Sequence, residues 1–223
     1  MNIIEKIKIK FLFYFIKDFK ELVEYHFKYF SEYNHINKTM FLKLFEYFNN
    51  NPISIFETGS SAWGTNSSVL FDSYIKKFGG NFITVDIRKE PSEKLNKIFS
   101  KNSKAFVGDS LDFIKNYKKN ELKKVDLVYL DSFDVDFKNP EPAMEHGLNE
   151  FLYLDKLVSP GTLIAIDDTP KDIKLYGENF TNEKKYNNNF IPGKGTYILE
   201  NIKESKKYEI VYHHYSLIIK KIN

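Results

Sequence analysis

Cysteine is absent from the 223-residue chain, so neither disulfides nor thiolate metal sites are available. Nothing then supports an oxidising compartment, and a cytoplasmic setting is the expectation. Long apolar runs are also missing. The longest near the N-terminus, Phe11–Ile16 ("FLFYFI"), falls far short of the roughly 20 residues that a spanning helix requires. No small-residue cleavage site follows it, so a signal peptide is not expected. Charge of one sign is lacking too: 33 basic and 30 acidic residues are scattered along the chain, for a formal net charge of +3. That distribution leaves no basic face, which sets nucleic acid aside as a partner. No internal repeat is evident.

What is present suits one globular domain with an appended segment, since 42% of the residues are hydrophobic. The abundance of Lys, Asn, Ile and Phe has the look of a general compositional bias, which makes single lysines and asparagines less telling. From Ile4 to Phe48 the apolar residues recur at three- and four-residue spacing, predicting two amphipathic helices around a break at "SEYNHIN". Asn37 or Thr39 is placed to cap the second. Residues 1–50 are therefore read as a helical cap, and residues 51–223 as the main domain.

After Pro52 short β-rich runs alternate with helical ones. Strands are expected at "ISIFE", "FITVDI", "KAFVGD", "VDLVYLD" and "TLIAIDD", with helices at "SSVLFDSYIKKF", "EKLNKIFS", "SLDFIKNY" and "AMEHGLNEFLYLDKLV". Such alternation predicts an α/β fold with a doubly wound, Rossmann-like parallel sheet. The end differs: "YEIVYHHYSLIIKK" reads as an antiparallel β-hairpin closing the sheet. Each predicted parallel strand ends in acid: Glu57, Asp86, Asp109, Asp131, and the pair Asp167 and Asp168. Open α/β sheets bind ligands at the carboxyl ends of their strands, where these acids should gather. Any one of them also suits the cap of the following helix.

The stretch Glu57–Ser68, "ETGSSAWGTNSS", has two glycines, Gly59 and Gly64, five residues apart. A Walker loop needs a Lys followed by Ser or Thr after its last glycine, and "WGTNSS" supplies neither the Lys nor the spacing. A dinucleotide turn needs G-x-G-x-x-G so that the backbone can approach a pyrophosphate. Here residues with Cβ atoms fill the interval, and Glu57 would repel a phosphate. A cofactor with a cationic amine and no phosphate fits better.

On these residues the chain resembles the class I S-adenosylmethionine-dependent methyltransferases, whose first motif, acid-x-Gly-x-x-x-x-Gly, is matched by Glu57, Gly59 and Gly64. The resemblance runs from about Ser54 to Lys221, including the terminal hairpin. It implies S-adenosylmethionine as cofactor, held by the turn that carries Ser60, Trp63 and Ser67, with Trp63 packing over the methionine part. It further implies that Asp86 bonds the ribose hydroxyls and that Asp109, beside Ser110, faces the adenine amine.

The strand ends "VDLVYLDSFD" and "GTLIAIDDTP" should set Asp131 beside Asp167 and Asp168, and converging carboxylates repel one another unless a cation lies between them. An oxygen-only donor set points to magnesium, manganese or calcium. The arrangement is similar to that of cation-dependent O-methyltransferases of the catechol and macrolide-sugar types, which implies Asp131, Asp167 and Asp168 as ligands of a divalent cation, magnesium above all, that grips two substrate oxygens. The catechol type places a lysine base three residues after the first ligand, and the macrolide-sugar type a histidine; this chain has Asp134 there. His146, with Glu150 one turn on, is another candidate base, and Asp134 and Asp136 are alternatives as base or as extra ligands.

The polar segment from Pro170 to Gly195 is too long for a plain connection and reads as a lid, with Lys194 of "GKG" placed to meet an anionic or hydroxyl-rich substrate. The N-terminal helices are expected to cap the cleft or to pair two copies of the chain, with a membrane surface as a weaker option. The combined expectation is methyl transfer to a hydroxyl of a small molecule or sugar. The alternatives are a nicotinamide-dependent oxidoreductase of Rossmann type and a non-catalytic binding module.

Overall fold

The computed structural model describes residues 9, 11–60, 64–117, 119–177 and 190–223. Seven strands form one sheet in the order β3-β2-β1-β4-β5-β7-β6. Strands β1 (Ile53–Thr58), β2 (Gly80–Asp86), β3 (Ser103–Val107), β4 (Leu127–Leu130) and β5 (Leu163–Ile166) run parallel, and β7 (Leu217–Lys221) pairs antiparallel with both β5 and β6 (Tyr208–His213). The doubly wound sheet and its closing hairpin are thus as expected. Strands β4 ("LVYL") and β5 ("LIAI") are buried along their whole length, as central parallel strands covered on both faces must be.

Side-chain alternation sorts the core into two layers. On one face Ile53, Ile55, Leu127, Tyr129, Leu163 and Ala165 pack beneath α1 (Phe19–Tyr29), α2 (Lys38–Phe48) and α3 (Ser67–Phe78). On the other Phe56, Val128, Leu130, Ile164 and Ile166 pack beneath α5 (Ser110–Asn116), α7 (Glu141–Asp155) and α8 (Thr196–Ile202). The first layer is aromatic: Phe45 stacks on Tyr74 at 4.4 Å between ring centroids, and Phe41 meets Tyr129 at 5.8 Å. Truncating one such buried ring to alanine costs about 3–5 kcal/mol. Helices α1 and α2 thus pack against their own sheet and α3, while Phe11, Tyr14 and Phe15 before them are exposed. Among the described residues no helix is long and apolar enough to cross a membrane.

Two helices begin earlier than the sequence pattern suggests. Helix α4 (Lys89–Ile98) runs through Pro91, and α7 through Pro142. A proline in the first turn removes only an N–H that has no helical partner, so neither residue stops its helix. A short α6 (Lys119–Leu122) precedes β4 and was not expected. Asn37 does precede α2, but its side chain makes no capping bond. It is drawn instead to the sheet edge, where it becomes part of the site.

Candidate active site

A cavity of about 840 Å³ opens at the carboxyl edge of the parallel strands. The place is the one that the winding of the sheet leaves for a ligand, and the size suits a cofactor with a small second molecule. Its floor is made by Gly59 and Ser60 after β1, Asp86 to Arg88 after β2, Gly108 to Ser110 after β3, Asp131 to Asp134 after β4, and Asp167 and Asp168 after β5. His35 and Asn37 from the N-terminal segment, His146 of α7, Lys194 and Tyr215 complete the lining.

On the β1–β3 side the backbone comes close to the opening. Gly59 has φ +78°, and a Cβ there would collide with the carbonyl of Asp131. Only glycine lets the β1 turn lie against the end of β4. Asp86 receives hydrogen bonds on Oδ1 from the Arg88 N–H (2.7 Å) and Nε (2.9 Å), and on Oδ2 from the Ser60 N–H (2.8 Å) and Arg88 Nη2 (2.7 Å). Burial alone would raise its pKa, but the Arg88 and Ser60 donors outweigh it and hold the carboxyl below its ordinary value. Arg88 also reaches the Ser60 carbonyl at 2.6 Å. A ribose at Asp86 therefore has to share this carboxylate with Arg88 or displace it. Asp109 faces the cavity while capping α5, accepting from the Asp112 N–H at 3.0 Å.

Three residues expected around the cofactor sit elsewhere. Glu57 lies behind the wall, fully buried, accepting from Ser67 Oγ and Ser68 Oγ at 2.6 Å each. Burial raises its pKa to about 7 against those two bonds. Ser67 is consumed by that contact, as the first residue of α3. Gly64, at φ +78°, turns toward the N-terminal segment, its carbonyl accepting from Ser31 Oγ and from the Glu32 N–H at 3.1 Å. None of the three lines the cavity, and Gly64 and Thr65 pack against α1 and the residues that follow it. His26 of α1 makes that contact, its Nε2 2.7 Å from the Thr65 carbonyl, and burial lowers its pKa to about 4. Trp63 lies outside the described residues, as does the part of the expected lid from 178 to 189. The two described ends of that segment are joined by Tyr176, whose hydroxyl donates to the Pro192 carbonyl at 2.7 Å.

On the β4–β5 side the three acids do come to one edge, but not as three ligands of a cation. Asp167 is turned inward: its Oδ1 accepts from Asn37 Nδ2 (2.7 Å), Ser216 Oγ (2.7 Å) and the Asp168 N–H (2.8 Å), and its Oδ2 from Tyr129 Oη (2.8 Å). Between the other two stands Lys194, whose Nζ donates to Asp131 Oδ1 and lies 3.1 Å from Asp168 Oδ2. Asp168 Oδ1 accepts from Tyr215 Oη at 2.8 Å. Burial would draw the ammonium's pKa down, but Asp131 and Asp168 more than offset it and push it up. Asp131, Asp167 and Asp168, expected around a divalent ion, are thus engaged by protein donors. The residues present do not fit that ion, since Asp167 has spent its oxygens on four donors and an ammonium stands between the other two. Among the described residues no three His, Asp or Glu side chains converge as a metal-binding group.

His146 meets the cavity from α7. Its Nε2 is 3.0 Å from Ser110 Oγ and 3.3 Å from Glu150 Oε1. Burial disfavours its charged form, but Glu150, with Asp109 beyond, outweighs this and raises its pKa above the ordinary value. Glu150 is itself buried and anchored by Thr58 Oγ1 (3.1 Å) and Ser132 Oγ (2.8 Å). Asp134 lines the cavity but is exposed, while Asp136 is outside the lining and accepts from the Lys138 N–H at 2.9 Å. Asn37, Arg88, Tyr129, Tyr215 and Ser216 were not foreseen in the site. Arg88 follows an expected strand end, which is a usable signal; the others come from distant helices, a strand interior and the hairpin turn, where local sequence carries none.

No protein-family model matches the sequence, and no curated protein does. Among solved structures the chain is similar to the MycE methyltransferase from the mycinamycin biosynthetic pathway. The TM-score is 0.61 at 16% identity for its complex with Mg, SAH and mycinamycin VI, and 0.62 at 15% for its complex with Mg and SAH. Both alignments cover 93% of this chain and 55% of the other, so the chain spans about half the length of MycE. A Staphylococcus aureus protein assigned as a caffeoyl-CoA O-methyltransferase matches over the whole of both chains, with a TM-score of 0.56 at 15% identity. The strand order and the terminal hairpin thus place the chain in the fold shared by these solved methyltransferases.

Proposed function

We propose that the chain is an S-adenosylmethionine-dependent methyltransferase acting on a hydroxyl of a small, polar acceptor such as a sugar. The observation that carries this reading is the order of residues on one cavity wall: Gly59 and Ser60, then Asp86, then Asp109, each at the end of its own parallel strand. On this reading Asp86 takes the ribose as Arg88 withdraws, which its side chain, 56% exposed, is free to do. Glu57 and Ser67 act from behind, fixing α3 and the turn without touching the cofactor, and Asp109 and Ser110 border the adenine.

A sulfonium methyl group is already activated, so the protein has to align an oxygen and take its proton. The acceptor oxygen bonds to the methyl carbon as the carbon–sulfur bond breaks and its electron pair passes to sulfur, leaving S-adenosylhomocysteine. The hydroxyl proton goes to a base. His146 is the base on this reading, because it faces the cavity and Glu150 stabilises the imidazolium that forms. Asp134 lines the cavity but is exposed.

Calorimetric titration with S-adenosylhomocysteine and, separately, with NADH tests the proposal. Heat with the first alone is expected. Heat with NADH alone would move the site to a nicotinamide nucleotide, and no heat with either would leave a partner-binding module.

A further inference from the structure

Resting on the methyltransferase reading, we propose that Lys194 is the resident cation of this site: its ammonium, held between Asp131 and Asp168, takes the place of a divalent ion. Three observations converge on it. Lys194 is only 4% exposed, yet its side chain ends among acids at the cavity. An ammonium has three N–H donors, and Asp131 and Asp168 account for two. Among the described residues nothing else bonds Lys194 Nζ, and the residue lines the cavity, so the third donor is available to an acceptor oxygen.

The backbone around it is cleared for this placement. A Cβ on Gly193 would collide with the Asp168 carbonyl, one on Gly195 with Thr169 Oγ1, and one on Gly147 of α7 with the Lys194 carbonyl. The Lys194 N–H donates to the Asp168 carbonyl and the Gly195 N–H to Thr169 Oγ1, both at 3.0 Å. Three glycines on two segments thus let one lysine be driven down onto the end of β5. A flexible surface lysine needs none of this.

The second strand of the inference is Asp167. Asp167 lines the cavity, but its carboxylate is engaged by Asn37, Ser216, Tyr129 and the Asp168 N–H. Of the acids left, Asp131 and Asp168 are neutralised in part by Lys194, and a divalent ion would have to enter against that ammonium. In the transfer step Lys194 then acts by charge: its free N–H points the acceptor oxygen and favours the alkoxide side of the proton transfer.

Manganese binding, followed by the loss of its free-ion resonance signal, separates this proposal from the methyltransferase reading. The wild-type protein is expected to bind no manganese tighter than about 1 mM at neutral pH, and to bind S-adenosylhomocysteine equally with EDTA or manganese. Lys194→Met, which keeps the length of the stem and loses the charge, is expected to gain manganese binding by at least about tenfold, and Lys194→Met/Asp168→Asn to lose it again. Lys194→Gln replaces the Met variant if thermal melting shows that the latter is unfolded. Tight manganese binding by the wild type that Asp168→Asn abolishes would overturn the resident-cation assignment and leave the methyltransferase reading standing. So would a folded Lys194 variant that gains no manganese binding. Failure of S-adenosylhomocysteine to bind in the same samples would instead strike the methyltransferase reading.

Discussion

On the β1–β3 side of the cavity Asp86 and Asp109 face the opening, and the buried acid behind them, Glu57, accepts from the neighbouring Ser67 and Ser68. On the β4–β5 side the buried acid, Asp167, is tied to α2, to β4 and to the β7 turn at once, and a lysine from a distant loop sits between its neighbours. The side-chain bonds of Glu57 to Ser67 and Ser68 span 10 and 11 residues of chain, those of Asp167 to Tyr129, Ser216 and Asn37 span 38 to 130. Spacing made Gly59, Ser60, Asp86 and Asp109 readable on the first wall, though not the inward turn of Glu57 and Ser67. Long-range construction allows the second to keep an acidic pattern and change its chemistry.

The largest contrast expected is in pH dependence. The folded pKa of Glu57, about 7 against 4.5, gives stability that is complete below pH 4.5 and lost as pH rises toward 7. The folded pKa of His26, about 4 against 6.5, gives the opposite slope: stability is complete above pH 6.5 and lost as pH falls toward 4. Each shift is worth about 3 kcal/mol. Chemical denaturation between pH 4 and 7.5 should show stability falling with pH in His26→Gln and rising with pH in Glu57→Gln. Equal slopes in the two variants would deny that these groups are buried as the fold places them.

Next comes the division of labour between the walls. Asp86→Ala is expected to weaken S-adenosylhomocysteine binding about 100-fold, the loss of two hydrogen bonds to a charged acceptor, while Asp168→Asn should change it less than threefold. Comparable losses in a calorimeter would erase the distinction between a cofactor wall and an acceptor wall. Asn37→Ala removes one donor from the buried Asp167 and should cost about 1–3 kcal/mol of stability by urea titration. A neutral result would mean that α2 is not fastened to the sheet edge through that bond. The smallest effect belongs to Asp109, an exposed cap: Asp109→Ala should lower stability by about 1 kcal/mol, measured by the same titration. A much larger loss would show that Asp109 does more in the fold than cap α5.

Much of this was legible beforehand because it rests on period and punctuation. The alternation of "ISIFE", "VDLVYLD" and "TLIAIDD" with amphipathic runs is enough for a parallel sheet, and "YEIVYHHYSLIIKK" for the hairpin. His146 beside Glu150 follows from helical spacing, and the structure does bring them together. Asn37 read as a cap because position favours it, and became a donor to Asp167 because a buried carboxylate needs hydrogen-bond donors. Lys194 read as a substrate contact on a lid because nothing within "GKG" shows that three glycines would seat it on β5.

The sequence by itself determined the element order, the sheet and the gathering of acids at one edge, since these follow from hydrophobic periodicity and from where strands end. Only the tertiary structure decided which way each carboxylate points. Rotation of a side chain toward a donor depends on partners tens of residues away: Asn37 and Ser216 hold Asp167, and Lys194 stands between Asp131 and Asp168.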